Sequence, residues 1–316
     1  MIKTEILKQL NHQFSENKKH AELLAENNLF QALKNQDFAY LDNQINALTI
    51  EIAKAEYDNN IQLANKYKQT KQELITQQEK ILETMNLTLK DLKPQYACFM
   101  CQDTGFIKGK PCECFKTALS NKLLQQSNIK LENLANFQKS NFELFNEEYK
   151  HEIKKIYNIM QEYCNRFPNL NKKNIILSGG TGTGKTFLLE CVSADLISKG
   201  HYIYYTTAFN LSNQLLEYHI SPVTEKNSII NPLLDCDCLI IDDLGVEPIR
   251  KNVTLEYLLT IISERAINSK GTLISTNLSP QDILTKYGER IYSRLMDKSN
   301  SVLIKFPGSD LRVKRN

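Results

Sequence analysis

Neither proline nor glycine occurs early in this chain of 316 residues: the first proline is Pro94 and the first glycine is Gly105. These two residues punctuate loops and strands, so their absence argues against a turn-rich or β-rich start and for a long helical segment. The same stretch is filled with Glu, Gln, Lys, Leu, Ala and Asn, mostly good helix formers. No run of about 18 apolar residues is present, so nothing is expected to span a membrane. The first thirty residues hold Lys3, Glu5, Lys8, Glu16 and Lys18 and no apolar core, which argues against a cleaved secretory leader. Net charge is only +3, so charge alone makes no case for nucleic acid, although a local basic patch is compatible with it. Hydrophobic residues make up 41%, slightly under the globular norm, so part of the chain should lie outside a packed core. No internal repeat is found. The length suits two domains, or one with a large appendage.

Within the helical stretch, Ile45, Leu48, Ile52 and Ala55 follow a heptad-like rhythm, and Tyr67, Leu74, Ile81 and Met85 continue a stripe. Asp58-Asn59-Asn60 is the expected turn between two antiparallel helices. Lys68 and Lys71 interrupt the register, which argues against a long regular coiled coil. The segment reads either as a solvated helical hairpin or as a partner-docking arm, since an apolar stripe must be buried somewhere.

Eight cysteines are present, and the chain does not look secreted, so a reducing, cytoplasmic compartment is expected. Four of the eight cluster. Cys98-x2-Cys101 and Cys112-x-Cys114 bracket ten residues that include Asp103-Thr104-Gly105 and Gly109. Two close pairs joined by a turn-rich loop suit tetrahedral Zn2+. The single residue between Cys112 and Cys114 departs from the usual two, and an iron–sulfur centre or free thiols are the alternatives. Cys236 and Cys238 alternate onto one face of a strand and read as small apolar packing.

Beyond this module, Ala118 to Leu134 reads as helix and Asn136 to Glu148 as loop. From about Phe142 the pattern changes to alternating strands and helices. Asn174–Ser178, Tyr202–Thr206, Cys238–Ile241 and Thr272–Ser275 are apolar strands. Phe187–Ser198, Leu211–His219 and Val253–Asn268 are the helices between them. Such alternation predicts a parallel sheet covered on both faces.

The first strand runs into Gly179-Gly180-Thr181-Gly182-Thr183-Gly184-Lys185-Thr186, which matches G-x-x-x-x-G-K-[ST]. Glycines let backbone N–H groups turn inward around phosphate oxygens. The following helix offers its unpaired N–H groups and positive dipole end to the anion. Lys185 would carry charge to the β- and γ-phosphates of ATP, and Thr186 would give a hydroxyl to Mg2+. The third strand delivers Asp242 and Asp243 at its carboxyl end, as a Walker B strand does. Asp242 would face Mg2+ through water, and Asp243 would orient or deprotonate the attacking water. Asp243 is one methylene shorter than the glutamate usual in such ATPases. The fourth strand ends in Ser275-Thr276-Asn277. Asn277 is the candidate that positions water and senses hydrolysis, with helix capping as the plain alternative. Gly288-Glu289-Arg290-Ile291-Tyr292-Ser293-Arg294-Leu295 then puts two arginines at i,i+4 on one face. Arg294, ahead of Arg290, is the candidate finger for a neighbouring subunit's phosphates, with surface ion pairing as the alternative.

Taken together, Gly-Gly-Thr-Gly-Thr-Gly-Lys-Thr, Leu-Ile-Ile-Asp-Asp-Leu-Gly, Ile-Ser-Thr-Asn-Leu-Ser and Gly-Glu-Arg-Ile-Tyr-Ser-Arg-Leu resemble the DnaC/DnaI/IstB group of AAA+ ATPases. The tail Phe306-Pro307-Gly308-Ser309-Asp310-Leu311-Arg312 also looks like that group's ending, and the resemblance covers roughly Phe142 to Arg312. It implies an α/β AAA+ P-loop core with a parallel sheet and no separate C-terminal lid. Ahead of it stand a helical arm (1–93), a four-cysteine zinc module (94–116) and a helical linker (117–141), with the ATPase domain at 142–316. The resemblance further implies ATP-dependent self-association with the Ser-Arg-Leu arginine acting in trans. It implies weak ATPase activity stimulated by single-stranded DNA, and a hexameric replicative helicase as the partner of the arm and zinc module. Arg312 is the candidate for the nucleotide contact that a lid arginine usually makes. An IstB-like ATPase acting with a transposase on duplex DNA shares the same core. A metabolic P-loop kinase would need no Asn277 or trans-acting Arg294, and an ATP-binding scaffold would show no turnover.

Overall fold

The computed structural model describes residues 2–129 and 135–312. Its chain divides into two compact units, Leu10–Cys114, and Met1–Gln9 together with Phe115–Asn316.

The first unit is helical, as the missing proline and glycine require. α1 spans Ile2–Leu33, α2 Gln36–Tyr57 and α3 Ile61–Thr84, so the segment holds three helices rather than a hairpin alone. Asparagines set the breaks: Asn35 accepts from Phe38 N–H at 3.1 Å and Asn60 from Leu63 N–H at 3.2 Å, each satisfying an orphan helix donor. The turn at Asp58–Asn60 falls where expected, with Asn59 at φ 55°. The α2 stripe Phe38, Leu41, Ile45, Ile52 and Ala55 is buried. On α3 the stripe is Ala64, Tyr67, Lys71, Leu74, Gln78, Ile81 and Met85, each buried or half-buried. Lys71 therefore occupies the heptad rather than interrupting it. Its Nζ donates to Thr49 Oγ1 at 2.7 Å, and Gln78 Nε2 donates to Asp42 Oδ1 at 3.2 Å. Polar residues at such positions cost stability and fix register. A small core of Ala32, Phe38 and Leu82, covered by Leu87, Leu89 and Leu92, closes the end of the hairpin.

The second unit carries the sheet. Strands β3 (Asn174–Ser178), β4 (Ile203–Thr207), β5 (Cys238–Leu244), β6 (Gly271–Thr276) and β7 (Ser301–Lys305) follow β1 (Phe106–Ile107) and β2 (Lys110–Pro111), which make a separate two-stranded ribbon. The five are all parallel, in the order β4-β5-β6-β3-β7. β3, β5 and β6 are almost wholly buried, as strands covered on both faces must be. Helices α4 (Glu113–Gln126), α5 (Glu147–Arg166), α6 (Lys185–Ser198), α7 (Ala208–Ile220), α8 (Val223–Asp235), α9 (Thr254–Ile267) and α10 (Pro280–Leu295) complete the unit. α5 packs on α6, while α7, α8, α9 and α10 pack successively on one another. Right-handed crossovers place these two groups on opposite faces.

α4 starts five residues earlier than expected and ends at Gln126; residues 130–134 of the expected helix lie outside the described residues. The expected loop at 136–148 contains two 3-10 turns, Phe137–Lys139 and Phe142–Leu144, and the start of α5. Besides the short β1–β2 ribbon, three elements were not expected: the amphipathic helix α5, α8, which contains Pro232, and the half-exposed edge strand β7. Among the described residues no helix is long and apolar enough to cross a membrane.

Candidate nucleotide site

Parallel strands put all their carboxyl ends at one edge of the sheet, where open α/β folds bind ligands. β3 ends at Ser178, and the chain turns through Gly179–Gly184 into α6. Gly182 and Gly184 stand at φ 72° and 102°, a region that side chains disfavour. A Cβ on Gly179 would overlap the carbonyl of Phe306, and one on Gly182 would overlap the carboxylate of Asp310. Gly184 is the N-cap of α6 and offers no capping side chain. The helix therefore leaves its first N–H groups to whatever lies in the loop, as an anion site requires.

Lys185 is only 4% exposed. Its ammonium donates to the carbonyls of Gly179 and Gly180 at 2.9 and 2.7 Å and to Asn277 Oδ1 at 2.8 Å. Burial pushes its pKa down, opposed by Asp243 and Asp242, while the Arg312 charge adds to the lowering. Thr183 Oγ1 closes the loop onto Gly180 O at 2.9 Å. Thr186 is half-buried in the first turn of α6, and Thr181 is exposed at the rim.

β5 supplies the acids. Its register with β6 slips between Ile241 and Leu244, and Asp243 sits at φ 55°, so the strand bulges where the carboxylates are presented. Bulges re-aim side chains in this way beside sites. Asp242 is 4% exposed. Ser275 Oγ donates to its Oδ1, and Tyr205 OH donates to its Oδ2 at 3.0 Å. Ser275 Oγ also accepts from Asp243 N–H at 2.8 Å, so one hydroxyl holds both acids. Burial, then the neighbouring Asp242, raises the Asp243 pKa, while Lys185 and Arg312 pull it back. Asn277 follows β6, the strand between β3 and β5. Capping of α10 falls to Ser279, in a reciprocal box with Asp282, which leaves Asn277 to meet Lys185.

The loop, Asp242, Asp243 and Asn277 thus converge. The tail joins them: Phe306 N–H donates to Ser178 O at 2.7 Å and Leu311 N–H to Gly182 O at 3.0 Å. Arg294 does not join them. It is exposed and lines a groove of about 830 Å3 with Ala266, Ile267, Met296 and Asn300. Asn300 O accepts from Asn174 N–H at 3.1 Å, at the amino end of β3. At roughly 3.3 Å per residue, that end lies on the order of 15 Å from the Gly179–Gly184 loop. Tyr205 and the hydrogen-bonding role of Ser275 are the site features that sequence reasoning misses. The only signal for them is a polar atom on an otherwise buried strand.

The four cysteines form a cluster of their own. Their Sγ atoms all lie within 4.8 Å of one another, with Cys98–Cys112 at 3.8 Å and Cys101–Cys114 at 3.5 Å. Four sulfurs around one zinc stand about 3.8 Å apart, so the set fits a single tetrahedral ion. The Cys112-x-Cys114 spacing works because Cys112 directly follows the β1–β2 ribbon and Cys114 lies in the first turn of α4. Buried Asp103 accepts from Ala97 and Cys98 N–H at 2.9 and 2.8 Å and fixes the first pair's loop. N–H groups of the loop, that of Cys101 foremost, and then the Cys114 thiol bring the Cys98 pKa down to about 7.

A family model described as IstB-like ATP binding protein matches residues 121–314. The replicative helicase loader DnaC of Buchnera aphidicola subsp. Baizongia pistaciae (strain Bp) is 28% identical over 162 residues, 51% of this chain and 65% of that protein. DnaC of Escherichia coli (strain K12) is 25% identical over 146 residues, 46% of this chain and 58% of that protein. The match thus spans less than two thirds of either relative. Among solved structures, a DnaC helicase loader aligns with a TM-score of 0.41 and 24% identity, over 47% of this chain and 86% of that one. DnaI aligns with a TM-score of 0.47 and 20% identity, over 60% and 100%.

Proposed function

Because the chain belongs to the IstB-like ATP-binding proteins, AAA+ ATPases of the DnaC/DnaI/IstB type, we propose that it is a helicase loader that binds a replicative helicase and single-stranded DNA and hydrolyses ATP. The observation that carries the reading is the convergence of Lys185, Asn277, Asp242 and Asp243 at one sheet edge. In this reading the loop Gly179–Thr186 wraps the phosphates with its N–H groups, and Lys185 exchanges its carbonyl partners for phosphate oxygens. Thr186 and Asp242 would hold Mg2+, which when bound neutralises charge between the β- and γ-phosphates. Ser275 and Tyr205 keep the Asp242 carboxylate turned toward that place. Asp243 takes the proton of the attacking water, aided by the burial that raises its pKa. Asn277 links that water to Lys185.

Arg294 lies at the far end of β3 from its own loop, so its role is to reach a neighbouring copy's phosphates. The Leu10–Cys114 unit, with zinc on Cys98, Cys101, Cys112 and Cys114, is the helicase-docking part. The family's IstB-like description keeps one second reading, an ATPase that serves a transposase. Size-exclusion chromatography of the full chain with the source cell's replicative helicase, with and without ATP, separates them. The loader reading expects co-elution, and ATP turnover that rises with single-stranded oligonucleotide. No co-elution with the helicase, but co-elution with a transposase and duplex DNA, would overturn it.

A further inference from the structure

We propose that the buried pair Glu247–Tyr287 is a mechanical link through which the acidic end of β5 sets the direction of the helical segment bearing Arg290 and Arg294. The inference rests on the ATPase reading above and adds to it a means of coupling the chain's own site to the arginine it offers a neighbour.

Glu247 stands four residues after Asp243 and is 4% exposed; Tyr287 is 3% exposed. Two buried polar side chains on different elements persist only where they satisfy each other. Tyr287 OH donates to Glu247 Oε1, and Gly245 N–H donates to Oε2 at 2.8 Å. Lys286, the neighbour of Tyr287, donates from Nζ to the carbonyl of Gly245 and to that of Glu247 at 3.3 Å. The loop after Asp243 is therefore fastened at several atoms to one point on α10. It is also packed tightly against the residue after Asn277, since a Cβ on Gly245 would come within 2.9 Å of the Leu278 side chain.

That point on α10 is where the helix changes direction. Gly288 follows Tyr287 directly and has φ 79° and ψ 168°, a non-helical break inside α10. Only glycine adopts that region readily. A Cβ there would meet nothing within 4 Å, so the requirement is backbone conformation and not space. Ile291 and Leu295 then anchor the second segment by burial, while Arg290 and Arg294 stay exposed. The last fixed residue before the hinge is thus the residue tied to the catalytic strand. A displacement of the Asp243 loop is passed to Tyr287 and turned at Gly288 into a displacement of the arginines. Glu247, Tyr287 and Gly288 are positioning residues in this scheme, since none lies among the groups proposed to touch ATP.

The test uses the whole 316-residue chain with saturating ATP, MgCl2 and a single-stranded oligonucleotide. Tyr287→Phe should bind a fluorescent ATP analogue within about threefold of wild type, yet lose turnover about 10- to 100-fold, the scale of an ångström-level misplacement. Its own site is sound, so mixing it with Lys185→Ala, which has no working site but an intact arginine, should restore hydrolysis. Mixing it with Arg294→Ala should not. Gly288→Ala, which keeps the buried pair and changes only the hinge, should repeat this pattern and guards against simple misfolding of the first variant. Arg294→Ala mixed with Lys185→Ala is the control for action in trans. If that mixture stays inactive, the trans reading falls and the link with it. If it recovers, while Tyr287→Phe and Gly288→Ala either turn over normally or cannot be rescued by Lys185→Ala, the link alone is wrong.

Discussion

Ser275 shows how much one small residue can decide. It is fully buried and joins the Asp242 carboxylate, to which it donates, to the Asp243 backbone N–H, from which it accepts. Ser275→Ala removes a donor to Asp242 and an acceptor for Asp243 N–H. Loss of hydrogen bonds to buried groups costs about 1–3 kcal/mol. The expected outcome is nucleotide binding near wild type, a turnover loss of about tenfold or more, and a lower urea midpoint. Unchanged turnover would remove Ser275 from the mechanism. Arg265 makes the complementary case away from the site. It is 1% exposed, and its guanidinium donates to the carbonyls of Leu233, Cys236 and Gly271, to Cys236 Sγ and to Thr272 Oγ1. Cys236 is thus a hydrogen-bond acceptor as well as packing. Arg265→Lys cannot reproduce the planar fork, so both it and Arg265→Ala should lower stability, the alanine variant more, by about 1–3 kcal/mol for each buried carbonyl left unpaired. Denaturant melts read this directly.

Among the elements, the Cys-bearing ribbon and the α2–α3 hairpin are small and need help to stay folded. The ribbon has only two residues in each strand, too little to bury a core, and small metallo-modules gain their folding energy from the ion. One zinc per chain is therefore expected by elemental analysis. Cys112→Ser or a strong chelator should remove it and raise proteolysis near residues 95–116 while leaving ATP-analogue binding intact. Zinc-free protein with unchanged protease resistance would count against a structural ion. In the hairpin, Lys71 and Gln78 lie in the apolar stripe and meet Thr49 and Asp42. Sequence spacing alone marks Lys71 as a fault because it cannot show the partner across the groove.

The whole molecule depends on contacts far apart in sequence, of which Asp237 is the clearest. It takes a salt bridge from Lys3 at 3.0 Å, lies 3.8 Å from His201, and accepts from Tyr202 N–H at 3.0 Å. Burial alone would raise its pKa. The bonds from His201, Tyr202 N–H and Lys3 outweigh that and hold it well below the usual carboxylate range. A carboxyl depressed in the folded state adds stability above its unfolded pKa and loses it as pH falls toward the folded value. Wild type should therefore lose stability on acidification below about pH 4. Asp237→Asn should be less stable at pH 7 by about 1–3 kcal/mol and show a flatter dependence in that acid window, measured by urea melts across pH. Equal slopes for the two proteins would refute the linkage. At the same scale, Arg294→Ala should keep nucleotide binding and lose turnover, since its groove is at the opposite sheet edge from the loop.

The sequence by itself determined whatever is contiguous or periodic. The glycine-rich loop after β3, the acids near the carboxyl end of β5 and Asn277 after β6 are short strings whose backbone setting is local, and helix followed from ninety-three residues without proline or glycine. The central strands β3, β5 and β6 were legible because burial on both faces makes them largely apolar, whereas the half-exposed edge strand β7 was not. Only the tertiary structure decided what joins separate strings: Ser275 and Tyr205 on Asp242, the tail against Gly182, Glu247 on Tyr287, and Lys3 on Asp237. Each is a polar contact between elements tens to hundreds of residues apart. Its free energy depends on distance and burial, and neither is written in the order of residues along the chain.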